Sequence, residues 1–312
     1  MLVPAPLRRR ECRLRFAVWT CNAVAFLACS LPAAAAERIA TVTLLEGPAA
    51  IVRGVTRYAL VEGVRFRPGD IIEVSDKGLA EVEFPEGAAF ALAPGTRMLA
   101  IAGSRGKSET ADYYVTRGAL KLSRVKPGEN IRFVTPVFTL QPGDGTAVLA
   151  VGAAEGSVFV ESGDARVIET PAKGAPPPPL RLKGGEFYTR KAEQKGAIAP
   201  RPSQPFIAGL PKVFLDPLPS RFARYKDRDV QPKRIEDVSY ADVEDWLKAP
   251  PEIRRPLMPR FRPRLSDPAF RSALVANLKS HPEWDPILFP EKYKPKEPRA
   301  GVPSTVTPDG TR

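Results

Sequence analysis

The sequence predicts an all-β N-terminal domain, a sandwich or a roll of stacked hairpins, followed by a proline-rich, partly helical C-terminal region. Between residues 37 and 170, short β-branched runs alternate with turn residues and no helical stripe of apolar residues appears. Of the 35 prolines, 25 follow Thr170. The charge balance shifts there too, from 15 basic and 17 acidic residues over 37–170 to 27 and 17 over 171–312. Two regions are therefore expected.

Residues 1–36 have the pattern of a signal peptide. Arginines precede an apolar run at 16–31, and four alanines end at Ala36. We expect cleavage after Ala36, export to the periplasm and no transmembrane helix in the mature chain. An uncleaved anchor is the alternative, but the run is shorter than a spanning helix needs. Lipoprotein anchoring at Cys29 is not expected, because Phe26-Leu27-Ala28 lacks the usual aliphatic residue three positions before the cysteine.

Cysteine and histidine counts exclude several classes of site. Cys12, Cys21 and Cys29 all lie in the predicted signal peptide, and His281 is the only histidine. The mature chain therefore has no disulfide framework, no Cys/His zinc site and no cysteine nucleophile. We expect no metal and no cofactor.

The β pattern continues along the predicted domain, residues 37–190. Val82 and Phe84 alternate with Glu81 and Glu83, which predicts an apolar face and an exposed acidic face on that strand. The segment 143–146 is expected to be a hairpin turn. The predicted strands cover residues 41–45, 50–53, 71–74, 80–84, 89–92, 98–101, 113–115, 120–122, 131–134, 137–140, 147–151, 157–160, 166–168 and 186–189.

Glycine-centred motifs follow one another in a definite order over about residues 40–190. They are Glu46-Gly47, Gly69-Asp70-Ile71-Ile72, the run from Gly78 to Gly87, Leu92-Ala93-Pro94-Gly95-Thr96, Gly118-Ala119-Leu120, Val134-Thr135-Pro136, Gly145-Thr146-Ala147-Val148, Gly156-Ser157-Val158-Phe159-Val160 and Leu182-Lys183-Gly184-Gly185-Glu186. Each glycine stands where a strand must turn tightly. The ordered series resembles the FecR-type domain, a periplasmic module named for the regulator of iron-dicitrate uptake.

This resemblance implies the module and its compartment. The founding regulator is understood to carry a cytoplasmic sigma-binding segment and a membrane helix before this domain. Here only 15 residues precede the apolar run, too few for a sigma-binding unit. Stand-alone exported FecR-type modules are thought of as envelope binding or scaffolding domains, so that role is what the resemblance implies here.

The second region divides into three parts. Residues 191–230 form a proline-rich strap or linker, whose apolar residues between 206 and 215 are expected to pack on the β domain. A small helical region, 231–293, has helices near 239–248, opened by a capping box at Ser239, and near 267–280, opened by Asp267. Residues 294–312 are expected to be a disordered tail.

A basic run supplies the candidate binding residues: Arg254, Arg255, Arg260, Phe261, Arg262 and Arg264. We expect an envelope protein or an anionic envelope polymer as the partner. A membrane surface is a second partner that this basic segment could bind. Because the chain is expected to be exported, we do not expect it to bind nucleic acid. The alternative is an extended, solvated segment without a specific partner.

No catalytic constellation appears, and we expect no enzyme. His281 is interpreted as a helix C-cap. A non-enzymatic FecR-type envelope binding or scaffolding module, with signalling as one setting, is the favoured function. The alternative is an envelope polysaccharide-processing hydrolase that uses Glu81 and Glu83 as paired carboxylates.

Overall fold

Short β-branched runs form strands through the first two thirds of the chain, and the all-β prediction is confirmed. The computed structural model describes residues 39–101, 111–126, 130–171, 173–216 and 218–294. The predicted signal peptide and residues 295–312 of the predicted tail lie outside these ranges. The first strands are β1 (Ala40–Glu46), β2 (Ala49–Arg53), β3 (Thr56–Ala59), β4 (Arg65–Phe66), β5 (Ile71–Val74), β6 (Leu79–Glu83), β7 (Ala89–Leu92) and β8 (Arg97–Ala100).

The remaining strands are β9 (Ala111–Val125), β10 (Ile131–Val134), β11 (Phe138–Val151), β12 (Glu155–Glu169), β13 (Leu180–Lys183), β14 (Phe187–Lys191), β15 (Ala197–Ala199) and β16 (Lys233–Asp237). Of these, β9, β11 and β12 are long strands where the sequence had suggested separate short ones. The hairpin turn predicted at 143–146 is wrong, because these residues lie inside β11. There the register with β12 shifts between Pro142 and Gly145, as at a β-bulge.

Along one edge of β9 the sheet splits into two wings, while the other edge of β9 pairs with β10 and β11. The first half of β9 pairs with β8 and its second half with β7, both antiparallel. One wing continues through β8-β5-β2-β3-β16 and the other through β7-β6-β1-β4. Gly118 lies between the two halves with φ +100°, and a Cβ there would be 2.4 Å from the Thr96 Cα. Only glycine suits this division point.

Both wings contribute to one apolar core. Ile51 and Ile72 reach it from one wing, and Val82 and Phe90 from the other. The ring of Phe90 lies edge-on to the ring of Tyr113, with centroids 5.2 Å apart. Period-2 alternation thus assigns one residue in two to this core.

Helices in the C-terminal region cover the outer face of the first wing. Val52, Ile71 and Leu99 pack there in a second apolar cluster that includes Trp246 and Phe261. These helices are α2 (Tyr240–Leu247), α3 (Pro251–Arg254), α4 (Met258–Phe261), α5 (Pro268–Ala276) and α6 (Asp285–Leu288), with 3-10 turns between several of them; α1 (Gln204–Ala208) lies earlier, in the strap. Since both faces of β5 are covered, its neighbouring residues Ile71 and Ile72 are both fully buried.

Capping residues begin the two predicted helices. The Ser239 side chain accepts from the Asp242 amide, and the Asp242 carboxylate accepts from the Ser239 amide at 2.8 Å. Asp267 accepts from the Ala269 amide at 2.9 Å at the start of α5. Helix α5 ends at Ala276, and a 3-10 turn over Leu278–Ser280 completes the predicted span.

The strap segment lies on the second wing. Phe214 is buried against Ala93 and Val148. The proline-rich composition does not prevent a short helix here, because α1 has Pro205 in its first turn, where an N–H donor is not needed. Ile207 and Leu215 stay exposed, at 40% and 65%, so only part of the predicted apolar set packs.

Candidate functional site

A cleft of about 300 Å3 lies where the first wing meets the helical region. The ends of β2 and β8, with the turn after β2 and the turn before β5, form one wall, and α3 with the residues up to Arg260 forms the other. It is lined by Arg53, Gly54, Pro68, Gly69, Asp70, Leu99, Ile101, Glu252, Ile253, Pro256, Leu257 and Arg260. Most of the wall is apolar, and a few charged groups converge on it, as in small-molecule sites.

A fixed ion pair forms one end of the cleft. Arg53 donates from Nε to Asp70 Oδ1 at 3.0 Å and from Nη2 to Asp70 Oδ2 at 2.8 Å. The same carboxylate accepts from the Arg67 amide at 2.9 Å, across the turn at Pro68-Gly69. The hydrogen bonds that Arg53 donates to Asp70 raise the pKa of Arg53, although burial opposes this. Asp70 is therefore committed to holding Arg53 and the turn.

Arg260 brings a second guanidinium to the cleft. Its Nε donates to the Gly54 carbonyl at 2.6 Å, its Nη2 to the Val52 carbonyl at 3.0 Å, and its Nη1 to the Gly69 carbonyl. Within the described ranges it forms no ion pair. Burial lowers the pKa of Arg260 to about 10, so it remains cationic at neutral pH. A cation balanced by carbonyl dipoles attracts an anion more strongly than one already paired with a carboxylate.

The apolar wall comes from both regions of the chain. Leu99 belongs to β8, and Ile253 and Leu257 belong to α3 and the turn after it. All three are buried, and Ile101 is half-buried at the cleft. Apolar side chains beside a guanidinium suit a ligand with an apolar body and an anionic group.

Of the predicted binding residues, only Arg260 lines the cleft. Arg254 donates to Glu283 through Nε at 3.0 Å and Nη2 at 2.8 Å, and Arg255 contacts the same carboxylate at 3.4 Å. These contacts lower the pKa of Glu283. Arg254 thus ties α3 to the turn that precedes α6.

The other predicted residues lie apart. Phe261 is fully buried in the second apolar cluster. Arg264 donates from Nε to the Val238 carbonyl at 2.9 Å and pairs with Asp267, whereas Arg262 is exposed. The segment is a series of short helical turns, so the extended alternative is wrong.

Glu81 and Glu83 do not form the exposed acidic face that the alternation predicts. Both are buried. Glu83 accepts from Thr43 Oγ1 at 2.8 Å, from the Arg221 amide at 2.8 Å, and from the Ser220 hydroxyl. These residues are buried because the strap covers this face of the sheet, and Glu83 anchors the strap at Ser220 and Arg221.

His281 also differs from its interpretation as a cationic cap. Its backbone amide caps the 3-10 turn over Leu278–Ser280, but its ring is fully buried. Nε2 lies 3.1 Å from the Tyr240 hydroxyl. Burial is the largest cause that lowers the pKa of His281, so the neutral ring is favoured.

A wider groove of about 620 Å3 lies beside the ribbon of β3 and β16. Arg97 is buried at its base, paired with Glu73 and with Asp245, the latter at 2.6 Å. Arg57 lies 3.3 Å from Glu73 and 3.9 Å from Asp242. These charges join the sheet to α2, so the groove's polar groups serve the fold.

Among the residues that the structure describes, no cluster of three histidine, cysteine, aspartate or glutamate side chains could hold a metal ion. In the same residues, no helix combines the length and apolar content that a membrane crossing requires.

Comparison with known proteins gives only remote similarity. No family model matches the sequence, and no curated protein matches it. The chain is similar to two crystal structures of a "putative anti-sigma factor" from Parabacteroides distasonis, each at 17% identity, with a TM-score of 0.36 and 44% of this chain covered. It spans 62% and 63% of those chains, less than two thirds of their length.

Sequence reasoning missed most of the cleft. Arg53 and Asp70 border the turns at Gly54 and at Pro68-Gly69, and the sequence marks only the second turn, without indicating a site there. Ile253 directly precedes the basic run, and Leu257 lies four residues later, inside it. That helical spacing was the available signal for a buried face, and the surrounding arginines obscured it.

Proposed function

We propose that this protein is a non-enzymatic binding or scaffolding module of the FecR type in the cell envelope, exported to the periplasm and acting in envelope signalling. The ordered glycine motifs and the signal-peptide pattern support the class and the compartment. The observation that carries the binding role is the cleft, in which the cationic Arg260 lies beside the apolar Leu99, Ile253 and Leu257.

The cleft is suited to binding because its groups are fixed in advance. Arg260 is held by three backbone carbonyls, and Arg53 is held by Asp70. A ligand therefore meets oriented donors and apolar walls without ordering them first. The partner we propose is an envelope component that presents an apolar group together with an acidic one.

A cleft-filling variant tests this proposal. Ile101→Trp places an indole at the half-buried rim, and Ile207→Trp is the matched control, since Ile207 lies on α1 and is 40% exposed. The exported chain and both variants would be immobilised and challenged with envelope extract. We expect the wild type and Ile207→Trp to retain the same components and Ile101→Trp to lose them.

A small probe adds a direct readout. Anilinonaphthalene sulfonate combines an aromatic body with an anionic group, and its fluorescence rises in apolar sites. We expect Ile101→Trp to lower its affinity at least tenfold and Ile207→Trp to leave it unchanged. Equal capture and equal probe affinity for all three proteins would refute the cleft as the binding site.

A further inference from the structure

Strand β16 is one end of the sheet. It pairs antiparallel with β3 over residues 233–237, and no other strand in the described ranges pairs with it. Its first four residues are exposed and Asp237 is half-buried. The outer edge of β16 therefore presents backbone N–H and C=O groups to solvent.

An apolar residue stands at the centre of this edge. Ile235 is 49% exposed, and it is the residue that the register with β3 skips between Arg234 and Glu236. A bulge and flanking charges are features by which edge strands exclude unrelated strands. In β16 the two basic residues precede Ile235 and the two acidic residues follow it.

The sequence of β16 is Lys-Arg-Ile-Glu-Asp, and its charges are complementary to its own reverse. In an antiparallel pair centred on Ile235, Lys233 faces Asp237 of a second copy, and Arg234 faces its Glu236. Each of these pairs occurs twice about the two-fold axis, and the two isoleucines meet at the centre. Opposite charges at facing positions stabilise strand pairs, and like charges destabilise them.

We infer that the free edge of β16 pairs antiparallel with β16 of a second copy of this chain. A parallel copy would place lysine on lysine and aspartate on aspartate, so the charges select one orientation. A five-residue strand buries far less than the area of a standard interface, and the dimer is therefore weak and concentration-dependent. Such closed two-fold contacts are the commonest form of self-association.

A charge exchange tests the pairing. Arg234→Glu opposes Glu236 of the partner with a like charge twice, and Glu236→Arg opposes Arg234 in the same way. We expect each variant alone to dimerise about tenfold more weakly than the wild type. Mixed in equal amounts, the two variants restore both pairs, and the mixture is expected to associate as the wild type does.

Sedimentation velocity over a concentration series measures the self-association of the wild type, of each variant alone and of the mixture, in which one variant is fluorescently labelled. Thermal unfolding checks the fold, because Arg234 also pairs with Asp237 of its own strand at 2.9 Å. Lys233→Glu is a second variant, at an exposed residue, and should weaken self-association similarly. A monomeric wild type at millimolar concentration, equal association of every protein, or a mixture no stronger than its components would overturn the inference.

Discussion

The guanidinium of Arg97 lies over the indole ring of Trp246, with 5.6 Å between its central carbon and the ring centroid. Arg97 belongs to β8 and Trp246 to α2. The same side chain pairs with Glu73 on the sheet and Asp245 on the helix. One buried arginine therefore joins the β domain to the helical region through a cation–π contact and two ion pairs.

We predict that Arg97→Met lowers the free energy of unfolding by about 3 kcal/mol, because it leaves the buried Glu73 without this partner. Chemical denaturation measures the change. Arg117→Met is the matched control: this exposed arginine is on β9, and its loss should change stability by less than about 0.5 kcal/mol. Equal effects of the two substitutions would contradict the role given to Arg97.

The strap should depend on Glu83. Glu83→Ala removes the acceptor for the Arg221 amide and the Ser220 hydroxyl, so we expect faster cleavage by a protease between residues 205 and 219. Glu86→Ala, in the exposed turn after β6, should leave the cleavage rate unchanged. Mass spectrometry of the fragments locates the cut, and a rate equal to that of the wild type for both variants would argue against the anchor.

His281 should make stability depend on pH. In the unfolded chain its pKa is about 6.5, whereas burial and the positive charges of Arg254 and Lys248 lower it in the folded chain, with Glu283 opposing. Below pH 6.5 the unfolded chain thus binds a proton that the folded chain does not, and stability falls as the pH decreases. Thermal unfolding between pH 7.5 and 5 should show this loss in the wild type and a smaller one in His281→Gln.

Export gives a simple prediction. Purified from the periplasm of a Gram-negative host, the protein should begin at Glu37, as cleavage after Ala36 requires. N-terminal sequencing decides this. An intact Met1 on protein recovered from the cytosol would refute both the signal peptide and the compartment.

The strands could be predicted because the alternation of apolar and polar residues along the chain indicates which side chains are buried. Val82 and Phe90 follow the period-2 pattern and lie in the core. Glu83 could not be placed from the same pattern, since its burial depends on Ser220 and Arg221, which lie 137 and 138 residues away. Local periodicity tells which face is apolar, but it does not tell what later covers the polar face.

The helical region shows the same limit in another form. N-cap residues are local signals, so Ser239 and Asp267 marked the helix starts correctly. The arginines of the basic run suggested one solvated or binding surface, whereas Arg254 pairs with Glu283, Arg264 pairs with Asp267, and of the predicted set only Arg260 lines the cleft. Strand β16 was missed because Lys-Arg-Ile-Glu-Asp lacks an apolar alternation, and its pairing comes from β3 alone.

The pairing of β3 with β16 has a consequence for the order of folding. Thr56 and Asp237, which hydrogen-bond across these strands at 2.8 Å, are 181 residues apart. During synthesis and export, the edge of β3 stays unpaired until residues 233–237 have followed it. Closing so long a loop is slow relative to local pairing. The pairing of β16 with β3 should therefore be the slowest step of folding. A chain truncated before residue 233 would leave the edge of β3 unpaired and prone to aggregation.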